Sequence, residues 1–145
     1  MKVRRITLGT ALIAATAALA HQGVQNPAVK ARMAAMSAIS ENMKTLGMMA
    51  RGATEFDAEA ARDAAAAIAD HASAVPGLFE ANETDPMSEA RPEIWTSFED
   101  FSAKASELES VAAGLSTSIV APEDLVSAVG SLGASCRSCH SIYRE

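Results

Sequence analysis

Aromatic residues make up only 4% of this 145-residue chain, with one tryptophan and one tyrosine. Runs of β-branched residues are also few, which argues against a sheet and for packed helices. Cysteine occurs just twice. No second C-x-x-C and no H-x-x-x-H accompanies the pair, so a closed zinc site would have to recruit the remote His21 or His71. Positive charge is in the minority, 12 Lys and Arg against 18 Asp and Glu, for a formal charge of −6. That balance disfavours nucleic acid and anionic membranes as partners. There is no Gly-rich phosphate loop, no second metal cluster and no nucleophile paired with a base, so the chain does not read as an enzyme.

What is present is alanine throughout and seven methionines, within a 49% hydrophobic total. Alanine is the strongest helix former, and the length suits one domain with one core. Residues 1–20 stand apart. Met1-Lys2-Val3-Arg4-Arg5 is a basic start, Ile6 to Leu19 is apolar, and Ala18-Leu19-Ala20 is an A-x-A cleavage pattern, together a secretory signal peptide ending at Ala20. The apolar run is shorter than the roughly 20 residues that span a bilayer, so no stable membrane insertion is expected after cleavage. Loss of Lys2, Arg4 and Arg5 leaves nine basic against 18 acidic residues and moves the formal charge from −6 to −9. The mature domain is residues 21–145, and the expected address is the periplasm.

The stretch around which the rest is organised is Cys136-Arg137-Ser138-Cys139-His140, a C-x-x-C-H pattern that marks covalent attachment of a c-type haem. On a helix the two sulfurs and the imidazole emerge from one turn. The thiols can add across the haem vinyl groups while His140 reaches the iron as proximal ligand. A thioredoxin-like dithiol would need a βαβ setting that is missing here, and a disulfide at this spacing within a helix is awkward and staples almost nothing. Export fits as well, because two exported cysteines without such a role are expected to oxidise.

Four amphipathic helices follow from hydrophobic period and stop signals. The first is expected from about Ala28 to Arg51, with Val29, Met33, Met36, Ser40, Met43, Gly47 and Ala50 on one stripe and Ile39 and Leu46 beside it. Gly52 stops it. Asp57 caps a second from Ala58 to about Val75, whose thin face of Ala61, Ala64, Ile68, Ala72 and Val75 lets a neighbouring helix or subunit approach closely. Pro76-Gly77 is expected to end it. Residues 76–92 form a long connection expected to cross one end of the bundle or cover part of a pocket, the alternative being a mobile surface loop. The third helix is expected from Pro92-Glu93 to about Ser118, carrying Ile94, Phe98, Phe101, Ala105, Leu108, Ala112, Leu115 and Ile119, with Trp95 alongside. The fourth runs from about Pro122 to Tyr143, with Leu125, Val129, Leu132, Cys136, Cys139 and Tyr143 on one face and Val126, Gly133 and His140 flanking it. The expected fold is all-α, an antiparallel four-helix bundle with its haem near the C-terminus.

Several strings resemble the class II cytochromes c, the cytochrome c′ family. Gly133 to Arg144 is similar to the family's haem helix, Arg91-Pro92-Glu93-Ile94-Trp95 to the start of its third helix, and Val29-Lys30-Ala31-Arg32 with Met43 to Gly52 to its first. The resemblance implies one haem c held by Cys136 and Cys139, with His140 on the iron. It also implies a choice at the opposite face. High-spin members close that face with an apolar side chain and bind nitric oxide or carbon monoxide; low-spin members place a methionine there and resemble electron carriers. The corresponding residue here is Met36. Its soft thioether suits haem iron, although methionines on helix faces are ordinarily core filler and Met33 on the same stripe is the rival ligand. The resemblance further places Arg32 near the haem propionates and Arg144 near the proximal face; Met33 stands where the family often has glutamine. Trp95 is expected at the haem edge or in the core, and His71 exposed or partly exposed. The expected protein is a periplasmic His/Met mono-haem electron carrier, its partners periplasmic redox proteins, as monomer or homodimer. The alternatives are a five-coordinate gas binder and a peroxidase-like enzyme, the latter lacking a distal acid or base on the first helix.

Overall fold

The computed structural model describes residues 23–145; the proposed leader and His21 lie outside them. Four long helices and one short one make up the fold: α1 Pro27–Ala50, α2 Ala58–Leu78, α3 Glu93–Thr96, α4 Phe98–Ser118 and α5 Asp124–Tyr143. Local chemistry sets the first two starts. The Asn26 side-chain oxygen accepts from the Ala28 and Val29 N–H groups at 2.8 and 3.1 Å, with Pro27 at the first helical position. Asp57 likewise accepts from Glu59 and Ala60, at 2.9 and 3.1 Å. Gly52, at φ +66°, makes the left-handed turn out of α1.

Cross-links show the helices running antiparallel around a ring. Arg32 near the start of α1 bonds Leu78 at the end of α2, Arg62 near the start of α2 bonds Ile119 just past the end of α4, and Tyr143 at the end of α5 bonds Asp100 near the start of α4. The bundle core is a cluster of Ile39, Leu46, Ile68, Ile119, Leu125 and Leu132, cushioned by Ala61, Ala64, Ala65, Ala69, Ala112 and Ala128. Alanines on α2 let α1 and α4 close against it within one chain, which is the close approach expected of that thin face.

A second cluster closes the other end: Val75, Phe79, Ile94, Phe101, Ala105 and Tyr143, with Trp95, Phe98, Met36 and Cys139 packed against it. Every aromatic residue except Phe56 is gathered there. Phe79 and Phe101 lie 5.0 Å apart, and Phe101 meets Tyr143 edge-on at 5.3 Å.

Five expectations are corrected. The α2 helix continues through Pro76 to Leu78. Proline removes a single N–H, and buried Val75 and Phe79 with the Arg32 bond to Leu78 hold the last turn in place. The third helix is broken at Ser97 (φ −132°, ψ 44°), which separates α3 from α4 and lets Trp95 Nε1 donate to the Phe79 carbonyl at 2.8 Å. The last helix begins at Asp124 rather than Pro122, after the Asp124 carboxylate accepts from the Val120 and Ala121 N–H groups, and Val126 points outward at 70% exposure instead of flanking the core. On α1 the sealed residues are Val29, Arg32, Ile39, Leu46 and Gly47, so the expected stripe is offset; Met33, Met36 and Ser40 line a cavity instead.

Candidate haem site

The cavity, about 380 Å³, lies at the aromatic end, where the start of α1 faces the end of α5. Its α1 wall includes Arg32, Met33 and Met36. Its α5 wall is Cys139, His140 and Tyr143, and Val75, Phe79, Ile94 and Phe101 close the apolar back. Met87, Ser88, Glu89 and Ala90 of the connection cover one side.

Of the expected site residues, Met36, Arg32, Cys139, His140 and Arg144 line this one cavity. Cys136 sits one turn back on α5, half-buried, and Trp95 is not a wall residue; it packs beneath Phe79. Both thiols are free rather than joined to each other. Burial pushes each thiol up from its ordinary range, opposed at Cys136 by its own backbone N–H and Arg137, and at Cys139 by Lys104. Burial, then the Arg144 cation, pushes the His140 imidazole down, with Glu89 opposing. A neutral imidazole is the form that ligates a metal. Tyr143 is pushed up to about 12 by burial and by its 2.6 Å hydrogen bond to Asp100, so it stays a donor. Free thiols and an imidazole on one turn of α5, beside an apolar cavity edged by cations, fit a covalently held porphyrin.

Arg32 is only 3% exposed. Its Nε, Nη1 and Nη2 donate to the carbonyls of Leu78, Glu83 and Ala81 at 2.9, 2.7 and 2.6 Å, and the guanidinium lies over the Phe79 and Trp95 rings at 4.5 and 5.4 Å. Three of its five N–H groups are thus committed to the backbone. The side chain caps α2 and fixes the connection first, and only the remaining two donors are free for a carboxylate in the cavity.

Sequence patterning missed the strap. Ala90 and Arg144 form an isolated antiparallel bridge, with Arg91 N–H donating to Tyr143 O and Glu145 N–H to Glu89 O, both at 3.0 Å. Arg144 also pairs with Glu89 at 2.5 Å. At the other end of the connection, the Asp85 carboxylate accepts from Gln25, Asn26 and Met87 N–H groups at 2.8, 2.9 and 3.0 Å. The connection therefore covers one side of the cavity, one of the roles open to it.

The Asn26, Met87 and Gln25 bonds hold the Asp85 carboxyl below its ordinary value. A depressed folded-state pKa adds stability above the unfolded value and loses it as pH falls through the folded one. Thermal unfolding of the wild type is accordingly expected to weaken more between about pH 5 and 3 than that of Asp85→Asn. Equal slopes for the two proteins would mean the tether does not form.

An antiparallel four-helix bundle whose last helix delivers C-x-x-C-H to an end cavity defines a mono-haem c-type cytochrome. The sequence profile described as cytochrome c′ matches residues 27–144. Cytochrome c-554 of Cereibacter sphaeroides is 38% identical over 124 residues, covering 81% of this chain and 92% of that one. A cytochrome c-556 of Agrobacterium tumefaciens is 37% identical over 122 residues, covering 80% and 95%. The structure of cytochrome c′ from Rhodopseudomonas palustris superposes with a TM-score of 0.77 at 28% identity, covering 83% of this chain and 98% of that one. The chain belongs to the class II cytochromes c, the cytochrome c′ family, and carries one haem c attached through Cys136 and Cys139.

Proposed function

We propose that the protein is a periplasmic electron carrier in which His140 and Met36 would both ligate the haem iron. The observation that carries this reading is that Met36, from α1, and His140, from α5, line the same cavity. Met36 is preferred to Met33 because it packs against both core clusters, whereas Met33 packs against neither, so its thioether has less freedom to leave. When bound, haem supplies a one-electron couple at iron, and thioether with imidazole is the ligand pair that raises its potential. The chain's own residues exclude water: Val75, Phe79, Ile94 and Phe101 form the dry back wall and the strap covers one side. Cys136, Cys139 and His140 hold and orient the group from one turn of α5. Delivery by the 1–20 leader and exchange with other periplasmic redox proteins, as monomer or homodimer, complete the reading.

The second reading is a five-coordinate haem that binds nitric oxide or carbon monoxide, with Met36 only packing. It is favoured by the likeness to the cytochrome c′ structure. The optical spectrum of the holoprotein, with and without carbon monoxide, separates the two. Split low-spin bands, a weak far-red sulfur-to-iron band and no response to the gas are expected. A broad spectrum that shifts promptly with carbon monoxide would replace the carrier reading with the second.

A further inference from the structure

The α5 segment from Leu125 to Arg144 contains Arg137 and Arg144 and not one aspartate or glutamate, in a chain with 18 acidic residues. The acids lie elsewhere: Asp57, Glu59, Asp63 and Asp70 on or at the cap of α2, and Glu99, Asp100, Glu107 and Glu109 on α4. Two further cations are drawn to the haem-bearing turn. Arg91 Nη1 donates to the Ile142 carbonyl at 3.2 Å, and Lys104 Nζ to the Ser138 hydroxyl at 3.2 Å. Among the described residues the one ion pair is Arg144 with Glu89, so Arg91, Lys104 and Arg137 keep their charges unpaired. Near the same turn lie Glu89, already paired, Asp100, bonded to Tyr143, and Glu145; Glu93 and Glu107 follow Arg91 and Lys104 in the chain without pairing to them.

The shape of the surface agrees with the charge. Arg137, His140, Ser141, Arg144 and Glu145 line a shallow depression beside the proposed proximal ligand. Around it α5 exposes the small neutral side chains of Ala134 and Ser141, and the half-open Ile142 at 41%. A face with few long side chains to order, an apolar contact and a cationic border suits transient protein docking.

We infer that the outer face of the C-terminal half of α5, bordered by Arg91, Lys104, Arg137 and Arg144, is the docking surface for an acidic redox protein, which exchanges electrons across it. The inference rests on the carrier reading. Charge complementarity selects this partner: the acids of α2 and α4 repel an acidic protein, so an encounter is steered away from those faces and toward the cations beside His140. The exchange moves a single electron between haem iron and the partner's own redox centre, one being oxidised as the other is reduced, with no other bond made or broken.

The sign of the salt effect tests it. The reduced holoprotein is mixed with hexacyanoferrate(III), an anionic one-electron oxidant, from about 10 to 300 mM ionic strength. The global negative charge demands a rate that rises with salt. The local face demands one that falls, by about threefold to tenfold. Arg137→Glu is expected to reverse that slope with an unchanged haem spectrum, and poly-L-glutamate to slow the wild-type reaction more than poly-L-lysine does. A rate that rises with salt in the wild type, an unaltered slope in Arg137→Glu, or stronger inhibition by poly-L-lysine would each overturn the docking surface. Failure of the carrier reading registers separately, as carbon monoxide binding in the same sample.

Discussion

Replacing Met36 with leucine is expected to turn a low-spin holoprotein into a high-spin one that takes up carbon monoxide on mixing. Leucine keeps the volume and apolar character of methionine and loses only the sulfur, and such exchanges usually cost less than about 1.5 kcal/mol of stability. The contacts of Met36 with both core clusters are therefore retained, and the bundle should unfold at nearly the wild-type temperature. On the carrier reading, what changes is the donor. The far-red sulfur-to-iron band should vanish, the Soret band should broaden, and the potential should fall because the thioether stabilises the reduced iron. Met33→Leu is the matched control and should leave all three unaltered. If Met33→Leu opens the iron and Met36→Leu does not, the ligand is assigned to the wrong turn of α1. If neither changes the spectrum, both methionines are packing groups.

Arg32→Met should produce the largest loss of stability on α1. The substitution removes the donors to Leu78, Ala81 and Glu83, and the cation over Phe79 and Trp95, while preserving much of the side-chain bulk. Burial lowers the guanidinium pKa, with Glu83 opposing, yet an arginine at this range remains charged. Bonds from a charged donor contribute more than neutral ones, and part of the loss is recovered when water reaches the Ala81 and Glu83 carbonyls. A net cost of about 3 kcal/mol follows, or on the order of 10 °C in melting temperature. Arg32→Lys should recover less than half of it, since one ammonium cannot match the fork that spans three carbonyls. Because the haem is covalently held, the variant should keep its colour while the 79–92 connection becomes sensitive to protease. A melting temperature within about 2 °C of wild type would show that these bonds are not made in solution.

The legible part of this molecule is what local chemistry writes. The haem motif is readable because one turn of α5 must present two sulfurs and an imidazole together. The start of α2 is readable because Asp57 bonds N–H groups two and three residues away; Asn26 caps α1 in the same way, a signal the sequence reading did not use. Pro76-Gly77 misleads for the opposite reason. It is a sound local stop signal, overridden by a guanidinium 46 residues upstream that secures the Leu78 carbonyl. The break at Ser97 carries no local mark, and the bridge between Ala90 and Arg144 pairs backbone groups whose side chains say nothing of it. The α1 stripe shows a further limit. Met33, Met36 and Ser40 have the period of a buried face, but period alone does not distinguish a surface packed by protein from one shaped around a cavity.

The gathering of aromatic residues at one end has an optical consequence. Trp95 is the sole tryptophan, and its indole is fastened to the Phe79 carbonyl beneath the cavity. Its fluorescence therefore reports on that end alone: dim while a haem in the cavity is within energy-transfer range behind Phe79, bright once the two move apart. Circular dichroism, by contrast, averages over all the helices. Emission that rises before ellipticity falls would reveal the cavity end opening while the alanine-rich remainder still stands, a sub-global step that one probe would miss.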